Sequence, residues 1–389
     1  MSTFALMTAG AGQALAVGPA PSDPGAPAVQ YAVADLGTLG GTNSSAAATD
    51  DDTVVGSSQT AGDAATHAFA YNRHTRTMTD LGTLGGTSSN AIAVDGPFVV
   101  GMSGLPDGAA DHAFAYNLRK HRLTDLGTLG GTSINVTGLS GHTVVGSSSL
   151  AGDQVTHAFA YNLLTHTMTD LGTLAGPLGS SSATGISGSI VAGNSVPPGG
   201  PVTTEHGFAY NLDTRTMTDL GTLGGTFSTA SAVSGHTVVG QSRTAGNAAL
   251  HGYAYNLLTH ARTDLGRSLM ISQLVSGNTA VGGDSLLSST FDLTTQAVVR
   301  IGPGNGVTEV SAIKGDLIVG NVFASNSFAF AFDMKTGAFT NLPALGGLNS
   351  TASQSSCSGI VVGKAALPPP GPFTANGPFH AAIWVTHTA

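Results

Sequence analysis

The string DLGTLGGT begins at Asp35, returns at Asp80, Asp125 and Asp219, and comes back in altered form, as DLGTLAGP, at Asp170. The spacing is 45 residues three times and then 49. A fixed period in the range of about 20–50 residues marks a chain built from repeated supersecondary units. A residue that recurs in every unit is expected to be structural, so function is expected where the repeat breaks.

One unit, Asp125 to Thr169, reads as DLGTLGGTS, INVTGLSGH, TVVGSSSLAGDQVT, HAFAYN and LLTHTMT. Four short runs rich in β-formers alternate with turn residues, and no run has the i, i+3, i+4 apolar period of a helix. In His157–Asn162, Phe159 and Tyr161 point one way and Ala158 and Ala160 the other, the period of two of a strand. Four strands in about 45 residues match one blade of a β-propeller, in which large residues on one blade meet small ones on the next. Third strands occur at His67, His112, His157, His206 and His251, in weaker form before Phe291 and Phe332, and at His380–Trp384. Second-strand glycines at Gly56, Gly101, Gly146, Gly193, Gly240, Gly282, Gly320 and Gly363 give the same count. The fold predicted is all-β, an eight-bladed propeller of four-stranded antiparallel blades. The chain opens with an outer strand that has no blade before it and ends on a third strand with no fourth after it. Tyr31–Leu36 is therefore expected to pair with Ala381–Val385 in a three-plus-one closure that removes the exposed edge.

Together, HAFAYN and DLGTLGGT resemble the HAF-type extracellular repeat of bacterial proteins and, more distantly, Kelch-type propellers. The resemblance runs from about Tyr31 to Val385 and weakens in units six and seven. It implies a secreted protein and carries over no catalytic residue.

Residues 1–30 differ in character. Met1 to Val17 is apolar with an Ala14-Leu15-Ala16 site like that of a signal peptide but no basic start. A signal remnant and a plain Ala/Gly-rich leader are both open readings, and Pro19 to Pro27 reads as a linker. Residues 31–389 form one propeller domain. The net charge is −9, and no Lys or Arg precedes Arg73, so nucleic acid is excluded as a partner. No apolar stretch is long enough to span a membrane as a helix. A single cysteine, Cys357, allows no intramolecular disulfide and no thiolate zinc site. A monomer without cofactor or metal is expected.

The repeated Asp of DLG is expected to accept backbone N–H bonds in the turn that follows it. The recurring His is assigned to hydrogen bonding between blades, since ligands spread around a ring cannot share an ion. Asp50-Asp51-Asp52 lacks the alternation of a calcium loop and reads as a solvated turn. Gly302–Gly306 is followed by no helix and carries no phosphate-binding reading.

The departures from the repeat lie in two places. Pro-rich second-to-third strand loops occupy Asn194–Glu205 and Lys364–Pro378, while the corresponding loop shrinks to Gly283–Ser288 in unit six. Polar changes gather in units six and seven. Arg267 replaces the Thr of DLGT and Arg300 replaces the repeated Asp. Glu309, one of two Glu in the chain, opens a channel-lining strand. Gln273 lies on the matching strand one blade earlier, and Asn90 and Asn135 align with Glu309 around the channel. These six residues are the candidate ligand-binding set for a small polar or anionic ligand, with the arginines as bidentate donors. The leading functional expectation is a non-enzymatic, secreted binding module that offers one loop face to a carbohydrate, peptide or protein. The alternative is a lyase, cyclase or hydrolase at the channel mouth, with Glu309 as general base. A purely structural surface protein is the third.

Overall fold

A computed structural model describes residues 29–387 apart from 109, 270, 285–286, 304–306, 325–326 and 370–376. Residues 1–28 of the leader, part of Lys364–Pro378 and part of Gly302–Gly306 thus lie outside the described residues. Thirty-two strands form eight four-stranded antiparallel sheets. Seven sheets take their strands in chain order, beginning with Gly40–Thr49, Thr53–Thr60, Thr66–Asn72 and Thr77–Gly82 as blade one. The eighth is built from Ser350–Ser355, Val361–Ala366, Phe379–His387 and, as its outer strand, Gln30–Asp35. Tyr31 pairs with Thr386 and Asp35 with Ala382, and Leu36 N donates to Ala381 O at 3.0 Å. The ring is an eight-bladed propeller closed by its N-terminal strand. No helix among the described residues is long and apolar enough to cross a membrane.

The core lies between blades, and HAFAYN builds it. Phe159 and Tyr161 of blade three pack in one cluster with Ala113 and Ala115 of blade two. Ala158 and Ala160 pack in the next with Phe208 and Tyr210 of blade four. Each third strand therefore presents rings to the preceding blade and methyl groups to the following one. Burying a Phe in this way removes enough apolar area for about 2 kcal/mol or more per ring.

Nearly every letter of DLGTLGGT has a local bond. Asp35 Oδ1 accepts from Gly37 N at 2.7 Å, and the same turn recurs at Asp80, Asp125, Asp170, Asp219 and Asp264. Gly37 sits at φ +78°, where a side chain would be strained. Thr38 Oγ1 donates to Gly41 O at 2.8 Å, and Leu39 N donates to Ser58 Oγ at 2.8 Å.

The repeated His corrects the expectation of blade-to-blade bonding. His112 Nδ1 lies 2.9 Å from Asp125 Oδ2 in the same blade, and the pair recurs at His67–Asp80, His157–Asp170, His206–Asp219, His251–Asp264 and His380–Asp35. Third and outer strands are what the His joins. The bond between blades belongs instead to a serine of the inner strand. Ser89 Oγ accepts from Ala68 N at 2.8 Å and donates to Gly82 O at 2.6 Å, and Ser44 and Ser181 repeat this.

The Asp50–Asp52 turn is also more than a solvated one. Asp51 Oδ1 accepts from Ser358 Oγ at 2.6 Å, tying blade one to blade eight, and Asp50 is half-buried and caps Thr53 N at 2.8 Å.

Candidate functional site

The inner strands run from one face of the ring to the other. Their starting ends share a face with the second-to-third strand loops, and this is the loop face. Glu309, Asn90 and Asn135 occupy one register position of three inner strands, opposite Asn321, Met102 and Ser147. All three are exposed, so they stand at one level of the channel wall. Arg300 lies on the outer strand Val298–Ile301, paired with Ser289 as Asp170 is with Phe159. Arg267 begins a short 3-10 turn, Arg267–Leu269, on the loop face. Gln273 lies on the inner strand Ile271–Ser276, and its side chain is outside the described residues. No ion pair within 4.0 Å joins Glu309 to Arg267 or Arg300.

Around blades four and five the same face carries a pocket of about 620 Å³, within the roughly 300–1,000 Å³ of small-molecule sites. Its wall contains Val202, Glu205, Phe227, Gln241, Arg243 and Leu250. The Pro-rich loop of blade four supplies Val202 and Glu205 through a 3-10 turn, Val202–Thr204. Glu205 is fixed by its backbone, with N donating to Val202 O at 3.3 Å and O accepting from Ser228 N at 2.9 Å. Its carboxylate has no hydrogen-bond or ion-pair partner among the described residues. Burial of that group pushes its pKa up from the ordinary glutamate value, and no neighbouring charge offsets the effect.

The repeat explains why the pocket is here. In blade one Gln59 Oε1 accepts from Asn43 N at 2.8 Å and from Asn43 Nδ2 at 2.9 Å. In blade three Ser149 Oγ accepts from Ser133 N at 3.0 Å. In blade five these two positions are Arg243 and Phe227, and that bond between inner and second strand is replaced by a ring and a cation. Arg243 Nη1 reaches only the Asn247 carbonyl, at 3.4 Å. Glu205, Phe227 and Arg243 were hidden from a sequence reading that weighed loss of the DLG string, because they interrupt units in which that string is intact. Aligning the units position by position exposes them: Thr66, Asp111 and Thr156 stand where Glu205 does.

A second cavity, of about 520 Å³, lies in the channel at the opposite face beside Asp50, Lys314 and Gln354. Gln354, Asp95 and Asp51 there hold blades together. Gln354 Oε1 accepts from Thr49 N at 2.8 Å, and Asp95 Oδ2 from Gly141 N at 2.7 Å. Serines continue this turn-to-turn bonding, with Ser187 Oγ accepting from Gly235 N at 3.0 Å.

No protein-family model matches the chain, and no curated protein sequence does. Its fold is similar to that of a prolyl endopeptidase, at 9% identity and TM-score 0.58 over 79% of this chain and 50% of that one. It is also similar to oligopeptidase B from Leishmania major, at 9% identity and TM-score 0.56 over 83% and 53%. Dipeptidyl peptidase 4 of Porphyromonas gingivalis gives 10% identity and TM-score 0.53 over 84% and 56%. The chain spans about half the length of these proteins, and at such identities the likeness is one of fold.

Proposed function

We propose that this protein is a non-enzymatic binding module that presents its loop face to a carbohydrate, peptide or protein. One observation supports this reading above the rest. Of the seven large hydrophobic side chains exposed among the described residues, Leu178, Val202, Val307, Phe323 and Leu348 lie on the loop face. Leu164 and Leu258 lie in third-to-outer strand turns on the other. Leu178 and Val202 are 72% and 69% exposed and belong to the same blade, and Val202 lines the pocket. Apolar surface left in water at about 25 cal/mol per Å² is stabilised by a partner that covers it, and grouping on one face is the mark of such a surface. The reading also takes the chain to act outside the cytoplasm, as the extracellular repeats that HAFAYN resembles do.

The test compares two surface variants on glycan and peptide arrays. Leu178→Ser/Val202→Ser/Phe323→Ser is expected to lose the binding shown by the unchanged protein, and Leu164→Ser/Leu258→Ser to keep it. Retention by the first variant, or loss only in the second, would overturn the reading.

A further inference from the structure

We infer that the pocket between blades four and five takes a small zwitterion with an apolar body, an apolar α-amino acid being the simplest case. This rests on the loop-face reading and adds to that face a pocket for one class of small ligand.

Glu205 and Arg243 line one pocket and have opposite signs, yet no ion pair within 4.0 Å forms between them. The Glu205 carboxylate is half-buried and accepts no hydrogen bond from a described residue, while the Arg243 guanidinium makes only the single 3.4 Å contact to Asn247 O. An unpaired carboxylate withdrawn from water is unfavourable, and it is relieved by a cation that arrives with a ligand. A guanidinium with open N–H donors is the matching receptor for a carboxylate.

The space around the two charges has an apolar side, beside the polar Thr203, Thr226 and Asn247. Phe227, Val202 and Leu250 form the wall, and Val202 is largely exposed. Gln241 adds an amide that the ring does not use. At the same register position Asn194 Oδ1 accepts from Ala230 N at 2.7 Å, and Asn321 Oδ1 accepts from Ala352 N at 2.9 Å. The longer Gln241 lines the pocket and makes no such bond to the next blade.

These features select by exclusion as well as attraction. A ligand with only a cation leaves Arg243 unpaired and close to a like charge. One with only an anion does the same to Glu205. A neutral apolar ligand covers Phe227 but leaves both ions desolvated. A molecule with both charges and an apolar side chain satisfies all three.

The experiment titrates the full chain by calorimetry with L-phenylalanine, and with three analogues: phenethylamine, 3-phenylpropionate and N-acetyl-L-phenylalanine amide. L-Phenylalanine is expected to bind at millimolar concentration or below, about tenfold or more tighter than each analogue, as the loss of one charge-assisted bond implies. Glu205→Gln and Arg243→Gln, each checked for an unchanged circular dichroism spectrum, are expected to lose about tenfold each. Equal binding of the neutral amide, indifference to both substitutions, or no binding at millimolar L-phenylalanine would overturn the inference. Failure here with the array difference intact leaves the loop-face reading standing. L-Phenylalanine binding without an array difference would remove that reading instead.

Discussion

His380 Nδ1 lies 2.8 Å from Asp35 Oδ2 across a sequence separation of 345 residues. The same contact at His112 and Asp125 spans 13 residues and one hairpin. In blade eight the pair holds together strands that no turn connects, so one local device serves there as the latch of the ring.

Trp384, the single tryptophan, is fully buried and pairs with Val33 of the closing strand, so its fluorescence reports on the latch. His380→Ala is expected to cost about 1 kcal/mol, the worth of a partly exposed charge-assisted bond. It should also make the Trp384 transition in urea precede the loss of far-ultraviolet dichroism. His112→Ala should cost a similar amount with both signals moving together. Coincident transitions in both variants would show that closure is no weaker than the rest of the ring.

Gly207 and Tyr253 form a second matched pair. In blades one and two Ala68 shares a core cluster with Phe114, and in blades four and five the same positions are Gly207 and Tyr253. A Cβ on Gly207 would lie 3.0 Å from the Tyr253 hydroxyl and 2.8 Å from Ala230 N. Tyr253 is fully buried, and its phenol is pushed well above its ordinary pKa by that burial. Gly207→Ala alone is expected to cost about 1–3 kcal/mol through overpacking. Tyr253→Phe alone should be near neutral, and the double variant should recover most of the loss because it rebuilds the Ala68–Phe114 arrangement. Additive effects in a double-mutant cycle measured by urea unfolding would contradict the pairing.

Glu205 gives the pH dependence a sign. Its pKa is raised in the folded protein, so the folded state holds this proton more tightly than the unfolded chain does. Stability from this group is full below the unfolded glutamate value and is lost as pH rises through the folded one. Glu205→Gln removes that loss. The variant is expected to gain relative to the unchanged protein as pH climbs through and above the glutamate range, by a few tenths of a kcal/mol given its exposure to solvent. Thermal unfolding across that range would show it, and a gain that shrinks with rising pH would contradict the assignment.

The architecture was legible because packing repeats. HAFAYN writes the blade interface into every unit, and the orphan strand at Tyr31 implies its own partner. The His bond was misread because a strand pattern says which residues share a face, not which of two flanking strands a side chain reaches. His157 needed the register of Phe159 opposite Asp170 to place it. Glu205 and Phe227 stayed hidden for a different reason. They come together from adjacent units, through a loop whose course the repeat does not encode.

The most direct test of the account is where a ligand binds. Crystals soaked in a mixture of small polar and apolar fragments are predicted to show density first in the loop-face pocket beside Glu205, Phe227 and Arg243. Density confined to the opposite cavity beside Asp50 and Gln354, or none at either, would contradict it.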